Sequence, residues 1–98
     1  RVWIDNLADV EIERNVCLSQ GAMLLCGNHD FKKQTFDLMV KPIVLKQGAW
    51  IGAKATVCPD IVVNEYAVLS VGSVATRSLE SNSIYQGIPA QKIKNRFN

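Results

Sequence analysis

A single histidine, His29, stands in 98 residues, and the three cysteines, Cys17, Cys26 and Cys58, are odd in number and form no Cys-x-x-Cys pair. A structural zinc site draws on four clustered Cys or His ligands and a disulfide framework on an even set, so neither is expected. The cysteines read instead as buried small hydrophobes in a reducing, cytoplasmic setting. No apolar run approaches the roughly 18 residues that span a bilayer, and the opening "RVWID" has no charged-then-apolar leader. Charge of one sign is also lacking. A net charge of +2 is too small and too local for a nucleic-acid binder, and 48% apolar with 20% charged residues is the composition of one ordinary globular domain.

What is present is a period. Val10, Ile12, Val16, Leu18, Ala22 and Leu24 precede a break, and Leu45, Ala49, Ile51, Ala55, Val57, Ile61, Val63, Ala67, Leu69, Ser73, Ala75 and Leu79 follow it, spaced 2 and 4 alternately. A helix advances about 240° in six residues and would scatter these side chains over three sides, whereas a strand returns them to one face. The four-residue gaps hold turn formers and polar residues, among them "SQG", "KQG", "CPD" and "SVG". Each hexad is therefore a short strand and a corner, and such units bury their apolar sides only when stacked as a parallel solenoid. From Leu24 to Leu45 is 21 residues, not a multiple of six, so residues 28–42 form a loop that leaves the solenoid and returns at Lys41-Pro42. His29 sits at the mouth of this interruption, and projecting loops are where catalysis concentrates.

The hexads, "NHDF", "KPIVLKQGAWIGAKATVCPDIVV" and the ending "GSVATRSLESNSIYQGIPAQKIK" resemble the hexapeptide-repeat acyltransferases. They come nearest the branch of the colanic acid, galactoside and maltose acetyltransferases, over essentially the whole chain. The resemblance implies an all-β, left-handed parallel β-helix with a projecting loop and a short C-terminal helix. That gives one domain over residues 1–98: first coils 1–27, loop 28–42, later coils 43–80 and C-terminal cap 81–98. It also implies that this is the C-terminal part of a longer chain whose upstream coils or cap are missing. Lys46, Asn64 and Ser70 depart from the family's usual Gly, and Asp60 and Ser81 from its usual Gly and Pro.

The implied activity is O-acetylation of a sugar hydroxyl by acetyl-CoA in exopolysaccharide assembly, with no metal, in a homotrimer whose sites lie between subunits. His29 would be the general base, an assignment favoured by the ordinary chemistry of an imidazole, which suits proton abstraction near neutral pH. Asn28 and Asp30 either orient its ring or cap a turn. Cys26, three residues before His29, leaves a covalent acetyl-cysteine route as the minor alternative. Ala53 and Val71 fall on positions whose backbones contact the pantetheine arm, and Thr76, Arg77 and Lys94 on positions that meet the coenzyme's polar end. Gln91 stands where relatives often have a cation. Asp5 and Trp50 are candidates for the acceptor groove. The competing classes are a non-catalytic solenoid scaffold and a carbonic-anhydrase-like metalloenzyme of the same fold, which one histidine scarcely supports.

Overall fold

The computed structural model describes residues 1–29 and 38–97. Its strands run β1 (Trp3–Asp5), β2 (Val10–Ile12), β3 (Cys17–Leu18), β4 (Met23–Leu25), β5 (Gly27–His29), β6 (Leu38–Val40), β7 (Ile43–Leu45), β8 (Trp50–Ile51), β9 (Thr56–Val57), β10 (Ile61–Val63), β11 (Val68–Leu69), β12 (Val74–Ala75), β13 (Ser83–Gly87) and β14 (Ala90–Asn95). Three parallel faces result. The first carries β1, β4, β9 and β12, the second β2, β7 and β10, and the third β3, β8, β11 and β13. The parallel solenoid read from the hexads is thus the architecture observed.

Register gives the length of each turn. Ile43 pairs with Ile61, Trp50 with Val68 and Thr56 with Val74, eighteen residues apart, so three hexads close one coil. Val10 with Ile43, Cys17 with Trp50 and Met23 with Thr56 are thirty-three apart, an excess of fifteen over the eighteen of the later coils. That excess is the interruption. Its two ends are pinned together, with Cys26 N donating to Asp5 O (3.2 Å) and Lys41 N to Cys26 O (2.9 Å), and beyond them β5 and β6 pair antiparallel as an arm. The arm leaves at the edge between the first and second faces.

Inward columns stack like with like: Leu24, Val57 and Ala75 on the first face; Leu45, Val63 and Leu79 on the second; Ile51, Leu69 and Tyr85 on the third. All nine are buried. Two serines stand in core positions and are satisfied there, Ser83 Oγ donating to Ser81 O and Ser73 Oγ accepting from Gly87 N (both 3.0 Å). The corners recur in the left-handed backbone region, at Gly21, Gly48 and Gly72 but also at Asn15, Lys54, Asp60, Tyr66 and Asn82. Asp60 (φ 65°) therefore fills its corner without glycine, in a region where Asn and Asp are enriched.

The C-terminal helix expected after "GIP" is absent, and β14 stands in its place. The reason is an edge: β13 is the last coil strand of the third face, and its outer row of amides and carbonyls needs partners. An antiparallel return supplies them, pairing Gly87 with Ala90 and Ser83 with Asn95 around the turn at Ile88-Pro89, with Ile93 bulged out of register. A helix would leave that row unpaired. Arg96, just past β14, ties the end back to the opposite edge, its Nη1 donating to Gly48 O at 2.8 Å while the guanidinium lies 5.2 Å from the Phe97 ring centre. The cysteines also differ from expectation. Only Cys26 is fully buried, and Cys17, at an outward strand position, is exposed.

Candidate active site

The edge between the first and second faces gathers several of the expected residues. Asp5 closes β1 and its carbonyl holds the root of the arm, and the backbone of His29 lies on that arm, paired with Leu38. Asp30 lies outside the described residues. Three coils from Asp5, about 14 Å at a strand spacing near 4.8 Å, Thr76 and Arg77 sit exposed on the same edge, in the corner between β12 and Leu79.

Thr76 and Arg77 open onto a cavity of about 320 Å³, lined also by Glu80, Tyr85, Gln91 and Lys92. Tyr85 Oη accepts from Glu80 N at 3.2 Å, and Lys92 Nζ lies 3.3 Å from Glu80 Oε1. The cavity therefore holds two cations and one carboxylate, a net positive site open to solvent. Lys94 is not among the lining residues. In a strand with the bulge at Ile93, Lys94 sits opposite Ile84 while Lys92 sits opposite Tyr85. Neither Lys92 nor Glu80 carried a signal for this cavity in the sequence, since both reach it only through the hairpin of β13 and β14.

A second group lies at the edge between the third and first faces. Ala53 and Val71 occupy the same corner on successive coils, bonded through Gly72 N to Ala53 O at 2.9 Å, and Val71 is 72% exposed. Trp50, on the outer side of the third face, is half exposed, and its Nε1 donates to Ser19 Oγ at 2.8 Å. A coil of eighteen residues has sides of no more than roughly 20 Å, so the two edges stand a full face apart. Within one chain the corner of Ala53 and Val71 does not meet the corner of Asp5, Thr76 and Arg77.

Two thiols bear on the chemistry. Cys26 is fully buried within the core, closed off from a coenzyme in solvent. Cys58 faces outward on the first face, and partial burial pushes its thiol above the usual cysteine range, away from the reactive thiolate. Among the described residues, no three His, Cys, Asp or Glu side chains gather where they could share a metal ion.

Against known proteins, the chain is 29% identical over 90 residues to WcaF of Escherichia coli (strain K12), named for an acetyltransferase of colanic acid biosynthesis, covering 92% of this chain and 50% of that one. Its structure superposes on a galactoside acetyltransferase in complex with coenzyme A at a TM-score of 0.91, with 21% identity over 97% of this chain and 49% of that chain. AntD, an N-acyltransferase from Bacillus cereus in complex with dTDP and 3-hydroxybutyryl-CoA, superposes at 0.81 with 24% identity, over 89% and 52% of the two chains. The chain resembles the hexapeptide-repeat acyltransferases in sequence, and its fold is their left-handed parallel β-helix. No family model matches it. The chain spans about half the length of the relative and the solved chains it matches.

Proposed function

We propose that this protein is an acetyl-CoA-dependent O-acetyltransferase of a sugar hydroxyl, acting in the cytoplasm in exopolysaccharide assembly. The observation that carries the reading is one edge of the solenoid, which bears the arm with His29 and ends at the cationic cavity beside Thr76 and Arg77. Relatives named for polysaccharide acetylation and a neighbour holding coenzyme A support it.

The chemistry follows from what the residues can supply. His29 takes the proton of an acceptor hydroxyl, whose oxygen attacks the thioester carbonyl. The tetrahedral oxyanion collapses, the carbon–sulfur bond breaks, and the departing thiolate takes the proton from the imidazolium. Asp5 contacts the acceptor, Trp50 stands where acceptor and thioester meet and the pantetheine arm enters, Ala53 and Val71 contact that arm, and Thr76 and Arg77 within the cavity and Lys94 outside it meet the polar end of the coenzyme.

These roles need both edges at one site, which a single chain does not provide. A homotrimer does, setting the His29 edge of one subunit against the Ala53 edge of another. The outer first face suits such an interface: Trp3, Met23, Thr56 and Val74 form one column and Leu25 and Cys58 flank it, and among the residues of these four strands Asp5 alone is charged. Light scattering is expected to give the mass of three chains, and a stable monomer contradicts the shared site.

Arg77→Ala tests the cavity. Loss of a cation remote from the reacting carbonyl is expected to raise KM for acetyl-CoA by about tenfold while kcat changes less than threefold, because the contact is equal in ground and transition states. An unchanged KM removes the coenzyme from this cavity.

A further inference from the structure

Trp50 is half exposed, and an exposed indole ordinarily samples several rotamers, yet its Nε1 donates to Ser19 Oγ at 2.8 Å across the coil boundary. The register shows what that bond does. Cys17 is the partner of Trp50 and Leu18 of Ile51, so Ser19 lies two residues further along the neighbouring strand, level with Gly52. Ser19 N donates to Ile51 O at 2.9 Å, fixing Ser19 itself to the coil that carries Trp50. To reach Ser19 Oγ the indole has to lean along the strand toward the next corner and over the preceding coil, where that corner is Gln20 with Ala53 stacked on it, while Val71 lies on the following coil at the other side of β8.

We infer that Ser19 is a positioning residue that locks the Trp50 indole as a rigid apolar wall beside the corner of Gln20 and Ala53, on the side of Ala53 away from Val71. An indole held this way offers a flat face to the methylenes of a pantetheine arm running past that corner, and no ordering of the ring remains to be done on binding. Nothing about residue 19 in the repeat distinguishes it from any other corner serine; only the cross-coil bond does. The functional half of the inference rests on the acetyl-CoA reading above, and the structural half does not.

The test follows the indole directly. In protein carrying ¹⁵N-labelled tryptophan, the Trp50 Nε1–H resonance, assigned against Trp3 with a Trp3→Phe variant, is expected to exchange with water about tenfold faster in Ser19→Ala. Ser19→Thr, which keeps the hydroxyl, is expected to restore the slow rate. Melting temperature is expected to stay within about 2 °C, since a lone surface hydrogen bond contributes little to the fold. KM for acetyl-CoA is expected to rise about three- to tenfold in Ser19→Ala with kcat nearly unchanged, and to recover in Ser19→Thr. Unchanged indole exchange in Ser19→Ala overturns the lock. Faster exchange with an unaltered KM overturns the role of the wall. A wild-type protein that never binds acetyl-CoA removes the functional reading as a whole, while the exchange data still decide the lock.

Discussion

His29→Ala is expected to lower turnover by about two to four orders of magnitude, the range a positioned general base contributes. The size of the effect follows from the chemistry of the acceptor. A sugar hydroxyl is almost wholly protonated at neutral pH, and attack on the thioester requires that its proton leave as the bond forms. An imidazole titrates close enough to neutrality to be both free and basic, and the chain has no other. KM for acetyl-CoA is expected to stay within about twofold, because the base acts on the acceptor and not on the coenzyme. The melting temperature is expected to stay near wild type, since β5 belongs to the arm and pairs with β6, outside the three stacked faces. Steady-state kinetics at saturating acetyl-CoA measure this. A fully active His29→Ala protein would leave the arm without its assigned purpose. Cys26→Ala is the companion variant: it shortens a buried side chain and so costs stability, but under direct transfer it retains activity.

The second large effect is on the scaffold. Gly52→Ala places a methyl 2.8 Å from both Leu69 O and Val71 N and 3.0 Å from Ser70 C, all of them backbone of the next coil. Backbone at a stacked corner cannot swing aside as a flexible side chain does, so the two coils must separate locally, against the ladder bonds that join them. The expected loss is about 2–3 kcal/mol, the upper range for overpacking, or a fall in melting temperature on the order of 10 °C or more for a chain this small. Gly72→Ala is the control. It occupies a left-handed corner (φ 68°) with no heavy atom within 4 Å of the added methyl, so only backbone strain of roughly 1–2 kcal/mol applies. Thermal unfolding that ranks Gly72→Ala as the worse of the two contradicts the close stacking at Gly52.

Much of this fold was legible because the repeat is local. The apolar positions spaced 2 and 4 from Leu45 to Leu79 became the inward columns, since a period of six returns a strand residue to the same side in every coil. The misfit of 21 residues between Leu24 and Leu45 marked the arm for the same reason. The C-terminal hairpin was not legible. "GIP" reads equally as the end of a coil before a helix or as a turn, and what decides between them is the unpaired edge of β13, which exists only once the coils are stacked. The cavity partners of Arg77 depend on the same edge: a helix would have set Lys92 and Arg96 on one face with Lys94 on the other side, whereas the strand sends Lys92 to the cavity, Lys94 beside Ile84 and Arg96 to Gly48. Trp50 was singled out from "GAWIG", but its partner Ser19 is 31 positions away on another coil, beyond any local pattern. Lys54 and Tyr66 hold left-handed corners that a sequence reader assigns to glycine, because the coil spacing fixes the corner and the residue conforms.

The central claim is transfer of an acetyl group from acetyl-CoA to a sugar oxygen, and it is tested most directly by mass spectrometry of products formed from isotopically labelled acetyl-CoA and a panel of sugars and nucleotide sugars. The expected result is a labelled ester on one acceptor, formed in step with free coenzyme A and lost in His29→Ala. A folded protein that binds coenzyme A but labels no acceptor, or labels one equally well without His29, contradicts the account.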